Sequence, residues 1–101
     1  MKLSYVLYTE DIIENVLWRW DYAGQEFDIT SLSAFCPECK IRLIYDNRSV
    51  KSYYRCDRCD NTLFEFQGNR QGIYSHIFRE IERRINTGEW LQKVKTDHIT
   101  G

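Results

Sequence analysis

Between Val16 and Tyr22 the chain alternates: Val16, Trp18, Trp20 and Tyr22 interleave with Leu17, Arg19 and Asp21, the period of a half-buried β-strand. Ala23-Gly24-Gln25 supplies a turn, and Phe27 and Ile29 alternating with Asp28 and Thr30 predict a return strand. Tyr5 to Tyr8 is a candidate for one more strand, while Thr9 to Asn15 reads equally as a short helical turn or a loop. Residues 1–34 therefore predict a small antiparallel β-meander.

A second β pattern follows. Ile41 to Tyr45 reads as a strand, Asp46 to Ser49 as a turn, Val50 to Arg55 as a returning strand and Thr62 to Phe66 as a third. The periodicity then changes. Ile73, Tyr74, Ile77, Phe78, Ile81 and Ile85 fall within a stripe about 140° wide at about 100° per residue, which predicts an amphipathic helix within residues 68–91. Asn69 is its expected N-cap and Gly88 its expected stop, although Gly72 weakens the first turn. Gln92 to Gly101 reads as a polar tail. The class expected is α+β, one compact domain in which one C-terminal helix covers a small sheet.

Composition narrows the possibilities. A chain of 101 residues with 43% hydrophobic positions and one proline suits a single core, and no apolar run reaches the roughly 18 residues of a membrane span. Tyr5-Val6-Leu7-Tyr8 is too short, and too soon followed by Glu10-Asp11, for a secretory signal, so a cytoplasmic protein is expected. The net charge of −1 removes the strong electrostatic argument for nucleic acid. Charge is nonetheless uneven: residues 1–35 hold two basic and six acidic side chains, residues 70–95 six basic and three acidic. Attraction between these ends across one fold is the preferred reading.

The chemistry lies in the four cysteines. Cys36-Pro37-Glu38-Cys39 and Cys56-Asp57-Arg58-Cys59 are separated by sixteen residues, within the spacing read as a zinc site. Each tight loop turns two sulfurs toward one point, and two loops complete a tetrahedron of thiolates about 2.3 Å from Zn²⁺. The strands between the pairs leave and return to the same end, bringing the loops side by side. A disulfide framework lacks an oxidising context, and a thioredoxin-like redox pair needs a βαβ setting. Iron in a Cys₄ site is the closest rival to zinc.

These residues resemble the zinc-ribbon superfamily over residues 35–67, with Cys36 to Cys39 as the first knuckle and Cys56 to Cys59 as the second. The resemblance implies one structural Zn²⁺ and no particular activity. Where the family usually has a small residue after each pair, this chain has Lys40 and Asp60. The wider arrangement, Trp18-Arg19-Trp20 before the ribbon and Arg83 to Trp90 after it, is similar to small bacterial zinc-ribbon proteins of unassigned role.

Four ligands leave no open coordination position, which predicts a structural rather than catalytic metal. Lys40, Arg55 and Arg58 are placed to offset the formal −2 charge of a Zn(Cys)₄ centre. His76 and His98 stand at no ligand spacing to the cysteines. The leading functional expectation is a non-enzymatic module recognising another protein, without a small-molecule substrate and without a membrane. Its candidate contact residues are Trp18, Trp20, Tyr53, Tyr54, Arg79 and Arg83, with Trp90 a further large aromatic. Core burial is the competing role for the aromatics and solvation for the arginines. The alternative is a nucleic-acid-binding ribbon using Lys40, Arg42, Arg48, Lys51, Arg55 and Arg58, with Tyr53 or Tyr54 stacking on bases.

Overall fold

The structure, a computed structural model, describes residues 5–99, with side chains through residue 95. It is α+β: two three-stranded antiparallel sheets followed by two helices. The first sheet holds β1 (Glu10–Ile13), β2 (Val16–Ala23) and β3 (Glu26–Phe35) in that order, and the second holds β4 (Ile44–Arg48), β5 (Lys51–Cys56) and β6 (Asn61–Gln67). Helices α1 (Arg70–Thr87) and α2 (Glu89–Ile99) complete the chain.

The N-terminal meander differs in detail from expectation. Tyr5–Leu7 forms a 3₁₀ turn instead of a strand, and the ambiguous segment supplies β1. The reason is the two-residue turn: Glu14 and Asn15 both take positive φ, 56° and 65°, the requirement of a tight hairpin whose twist matches its strands. The alternation in β2 holds from Trp18 onward, with Trp18 and Trp20 inward and Arg19 and Asp21 outward.

In the second sheet the turn comes later than Asp46 to Ser49. Asp46, Asn47 and Arg48 pair with Tyr53, Ser52 and Lys51, leaving Ser49 and Val50 to turn, with Ser49 at φ 63°. Buried Ser52 explains part of this register. Its hydroxyl meets the Tyr45 hydroxyl at 2.9 Å, accepts from Asn47 Nδ2 at 3.0 Å and donates to the Gly68 carbonyl. A buried hydroxyl left unpaired would cost about 1–3 kcal/mol.

Helix α1 begins and ends where the cap residues predict. The Asn69 side chain accepts from the Gly72 N–H at 2.9 Å, and Gly88 stops the helix at φ 86°. Ile73, Ile77 and Ile81 are fully buried, each burial contributing roughly 1.5–3 kcal/mol. Phe78 meets Phe27 of β3 at 5.0 Å between ring centroids, fastening the helix to the first sheet.

The polar tail is corrected. Residues 89–99 form a second helix, so there are two C-terminal helices instead of one reaching residue 91. Trp90 and Val94, four positions apart, are 8% and 2% exposed, and this short apolar face seats α2 on the core. The two sheets meet in that same core. Trp18 of β2 and Tyr54 of β5 pack edge to face, 5.4 Å between centroids.

Candidate metal centre

The first cysteine loop grows directly out of β3. Phe35 pairs with Leu17 and also bridges Arg42, while the Cys36 N–H donates to the Ile41 carbonyl and the Leu43 N–H to the Ala34 carbonyl, both at 2.9 Å. The chain thus turns tightly on itself between Cys36 and Ile41. The second loop joins β5 to β6 through Cys56, which pairs with Asn61. The residue after each pair, Lys40 at φ 63° and Asp60 at φ 51°, adopts the left-handed conformation. The lack of a small residue there leaves the loop geometry intact, at the cost of strained backbone.

Both loops aim a backbone donor at their first sulfur. The Cys39 N–H points to Cys36 Sγ at 3.4 Å, and the Cys59 N–H to Cys56 Sγ at 3.3 Å. Such bonds favour thiolate, and the Cys39 donor, working against burial, brings the Cys36 thiol down to about 7. The Cys59 thiol moves the other way, held protonated first by Cys39 and then by Cys56. One sulfur therefore releases its proton readily, while the crowding of the others is relieved when a cation replaces their protons.

All four sulfurs lie within 4.8 Å of one another. Cys36 to Cys59 and Cys39 to Cys56 are both 3.9 Å, close to the edge of about 3.8 Å that a tetrahedron with arms of about 2.3 Å requires. Cys39 to Cys59 is tighter at 3.0 Å, still well beyond the disulfide length of about 2.05 Å. All four are free cysteines, with Cys36 and Cys56 buried, Cys39 half-buried and Cys59 exposed. The cluster can hold one metal ion with four soft ligands. Of the cations expected to offset its charge, Arg55 lies 3.6 Å from Asp57, while Lys40 and Arg58 are exposed.

The expected contact residues separate. Trp18 and Trp20 are 0% and 2% exposed, which withdraws them from any recognition surface. Trp18 Nε1 donates to the Ile13 carbonyl, and Trp20 Nε1 to the Tyr22 hydroxyl, so both indoles are satisfied inside. Tyr54 and Trp90 are buried with them. Tyr53 is half-buried beneath the Arg48 guanidinium. Arg79 is exposed, and Arg83 is held by Glu80 and Glu89, each at 2.6 Å. Within the basic set proposed for nucleic acid, Arg48, Lys51 and Arg55 are already paired with Asp46, Glu65 and Asp57. His76 lies 3.9 Å from Glu14, and the His98 side chain falls outside the described residues.

Two features escaped the sequence. Asp11, on β1, binds Arg84 of α1, a pairing across seventy-three positions with no local signature. Beside the cysteine loops runs a groove of about 510 Å³ lined by Ile12, Asn15, Pro37, Glu38 and Leu63 among others. Its residues come from β1 and the turn after it, both cysteine loops and β6, so no single stretch announces it. Compared with family models, curated proteins and solved structures, the chain matches none. No helix among the described residues is long and apolar enough to cross a membrane.

Proposed function

We propose that this chain is a non-enzymatic interaction module of zinc-ribbon type, in which Cys36, Cys39, Cys56 and Cys59 hold one structural Zn²⁺ that stiffens a surface for protein recognition. The convergence of the four thiols within 4.8 Å carries this reading. Thiolates select soft or borderline ions, and a Cys₄ set closes the coordination sphere, supplying rigidity without a position for substrate or water. Metal binding of this kind is worth roughly 10–16 kcal/mol in zinc-finger peptides, as much as a whole domain's net stability of about 5–15 kcal/mol.

With Trp18 and Trp20 in the core, the recognition surface moves to the groove beside the metal loops, where Ile12 is 51% exposed. An exposed isoleucine at a rigid concave edge offers an apolar anchor, with Asn15 and Glu38 as polar rim. A cytoplasmic location fits, because a reducing compartment keeps such thiols unoxidised.

The deciding experiment isolates the chain with its natural partners and measures metal, protein and nucleic acid on the same sample. Expected are one zinc per chain and a stoichiometric protein whose association is lost in Ile12→Asp while the zinc is retained. A folded metal-free chain, or stoichiometric RNA or DNA in place of protein, would overturn the proposal.

A further inference from the structure

The nine arginines divide into two groups. Arg19, Arg48, Arg55, Arg83 and Arg84 each have a carboxylate within 4.0 Å, whereas Arg42, Arg58, Arg70 and Arg79 have none among the described residues. Of these four, Arg42 and Arg70 line the same cavity. It is a solvent-open pocket of about 100 Å³ where β3, the start of β4, β5 and the first turn of α1 meet; Arg42 and Arg70 are exposed, and Ser33, Tyr45, Tyr54 and Tyr74 contribute to its wall. No aspartate or glutamate does.

The cavity is built from held parts. The Arg70 guanidinium lies over the Tyr45 ring at 4.3 Å, and that of Arg42 over the Phe35 ring at 5.6 Å. Stacking on an aromatic face restrains a guanidinium without consuming its N–H donors. Tyr54 is 4% exposed, and its hydroxyl interacts with Tyr74 and Arg70. Burial pushes that hydroxyl's titration upward, Tyr74 adds to the rise and Arg70 opposes it, so at neutral pH Tyr54 remains a donor. Two exposed guanidinium groups restrained by ring stacking, a tyrosyl hydroxyl beside them and no acidic neighbour form the recognition chemistry of a tetrahedral oxyanion.

We infer that the cavity between Arg42 and Arg70 binds a phosphate group, in the form of inorganic phosphate or a phosphate monoester. Two guanidinium charges match a dianion better than the single charge of a phosphodiester. The small volume admits the phosphoryl group and leaves any attached organic part outside. This site is separate from the thiol cluster and does not rest on the metal's identity or on the groove at Ile12.

The test is titration of the full metal-loaded chain with inorganic phosphate, phenyl phosphate and a single-stranded oligonucleotide, at constant ionic strength set with sodium chloride. Calorimetry gives affinity, and the arginine Nε–H resonances give location. Saturable binding of phosphate or phenyl phosphate is expected at millimolar or lower concentration, with shifts at Arg42 and Arg70 and none at exposed Arg79. Arg70→Gln and, independently, Arg42→Gln should each weaken binding about tenfold or more while circular dichroism and metal content stay unchanged; binding by phenyl phosphate but not inorganic phosphate marks a monoester site, and equal binding by both marks the bare anion. No saturable response, an equal response to sodium chloride alone, or binding of the oligonucleotide only would overturn the inference.

Discussion

Arg84 Nη1 lies 2.7 Å from Asp11 Oδ2, joining the last turns of α1 to β1. The same carboxylate oxygen accepts from the Tyr8 hydroxyl at 2.7 Å, and Arg84 Nε reaches Glu80 at 3.1 Å. An acidic residue of the N-terminal third and a basic residue of the C-terminal third therefore pair inside one fold. The pair is mostly shielded, with side-chain exposures of 23% and 18%. Its loss leaves a partly buried charge and a tyrosyl hydroxyl without its acceptor.

Asp11→Ala is expected to destabilise the fold by about 2 kcal/mol, within the range for hydrogen bonds to charged groups. Tyr8→Phe and Arg84→Gln should each cost less when added to Asp11→Ala than alone. Denaturant unfolding of the double-mutant cycles measures this coupling, and additive effects would show that the network is not cooperative.

Glu80 links stability to pH. Arg83 first, with Arg84 adding, holds its carboxyl down at about 2 against burial. A depressed carboxyl contributes stability above its unfolded value, about 4.3, and loses it as pH falls toward 2. Wild type should exceed Glu80→Gln in unfolding free energy at pH 6, with the gap narrowing between about pH 4.5 and pH 2. Measuring the metal content of both chains at each pH, and comparing them only at equal content, keeps acid release of metal out of the difference. A gap constant with pH would mean that Glu80 acts through packing alone.

Each of Cys36→Ser, Cys39→Ser, Cys56→Ser and Cys59→Ser should abolish tight metal binding, because three thiolates and a hydroxyl no longer match a soft ion. Chelation of the wild-type chain should lower its melting temperature by well over ten degrees, as expected when metal binding supplies free energy on the scale of a domain's stability. Elemental analysis paired with thermal unfolding reads both effects. Full metal occupancy in any one variant would remove that cysteine from the ligand set.

Lys40→Gly should stabilise the loaded protein by up to about 1 kcal/mol, since lysine at φ 63° bears a steric cost that glycine lacks. Asp60→Gly should do so less, because aspartate tolerates the left-handed region better. Unfolding of both variants at full metal occupancy gives the comparison, and a destabilised Lys40→Gly would show that the ammonium's charge near the thiolates outweighs the strain.

Trp18→Ala is expected to cost about 3–5 kcal/mol, the range for truncating a large buried aromatic. Val94→Asp should also destabilise strongly by placing a charge in the seat of α2, whereas a polar tail would tolerate it. Melting temperatures of the two variants decide both points. A stable Trp18→Ala chain would reopen the indole's candidacy for a partner surface.

What the amino-acid order determined by itself was local. The paired C-x₂-C loops declared a common point for four sulfurs because the geometry within each loop spans only a few residues, and the hairpin pattern between them closes on itself. Asn69 and Gly88 marked the limits of α1, and its isoleucine stripe the buried face, since a cap bonds within three residues and a helix repeats every 3.6. Less was visible where two elements had to meet. Alternation showed that Trp18 and Trp20 share a face, but only Tyr54 from the other sheet and Tyr8 beside Trp20 decided that this face is sealed. Trp90 and Val94 became a helix's apolar edge only once a core existed to receive them. The Asp11–Arg84 pair and the convergence of Arg42 and Arg70 likewise follow from contacts between distant positions. Their free energy depends on desolvation and mutual approach, quantities that exist only after the chain has folded.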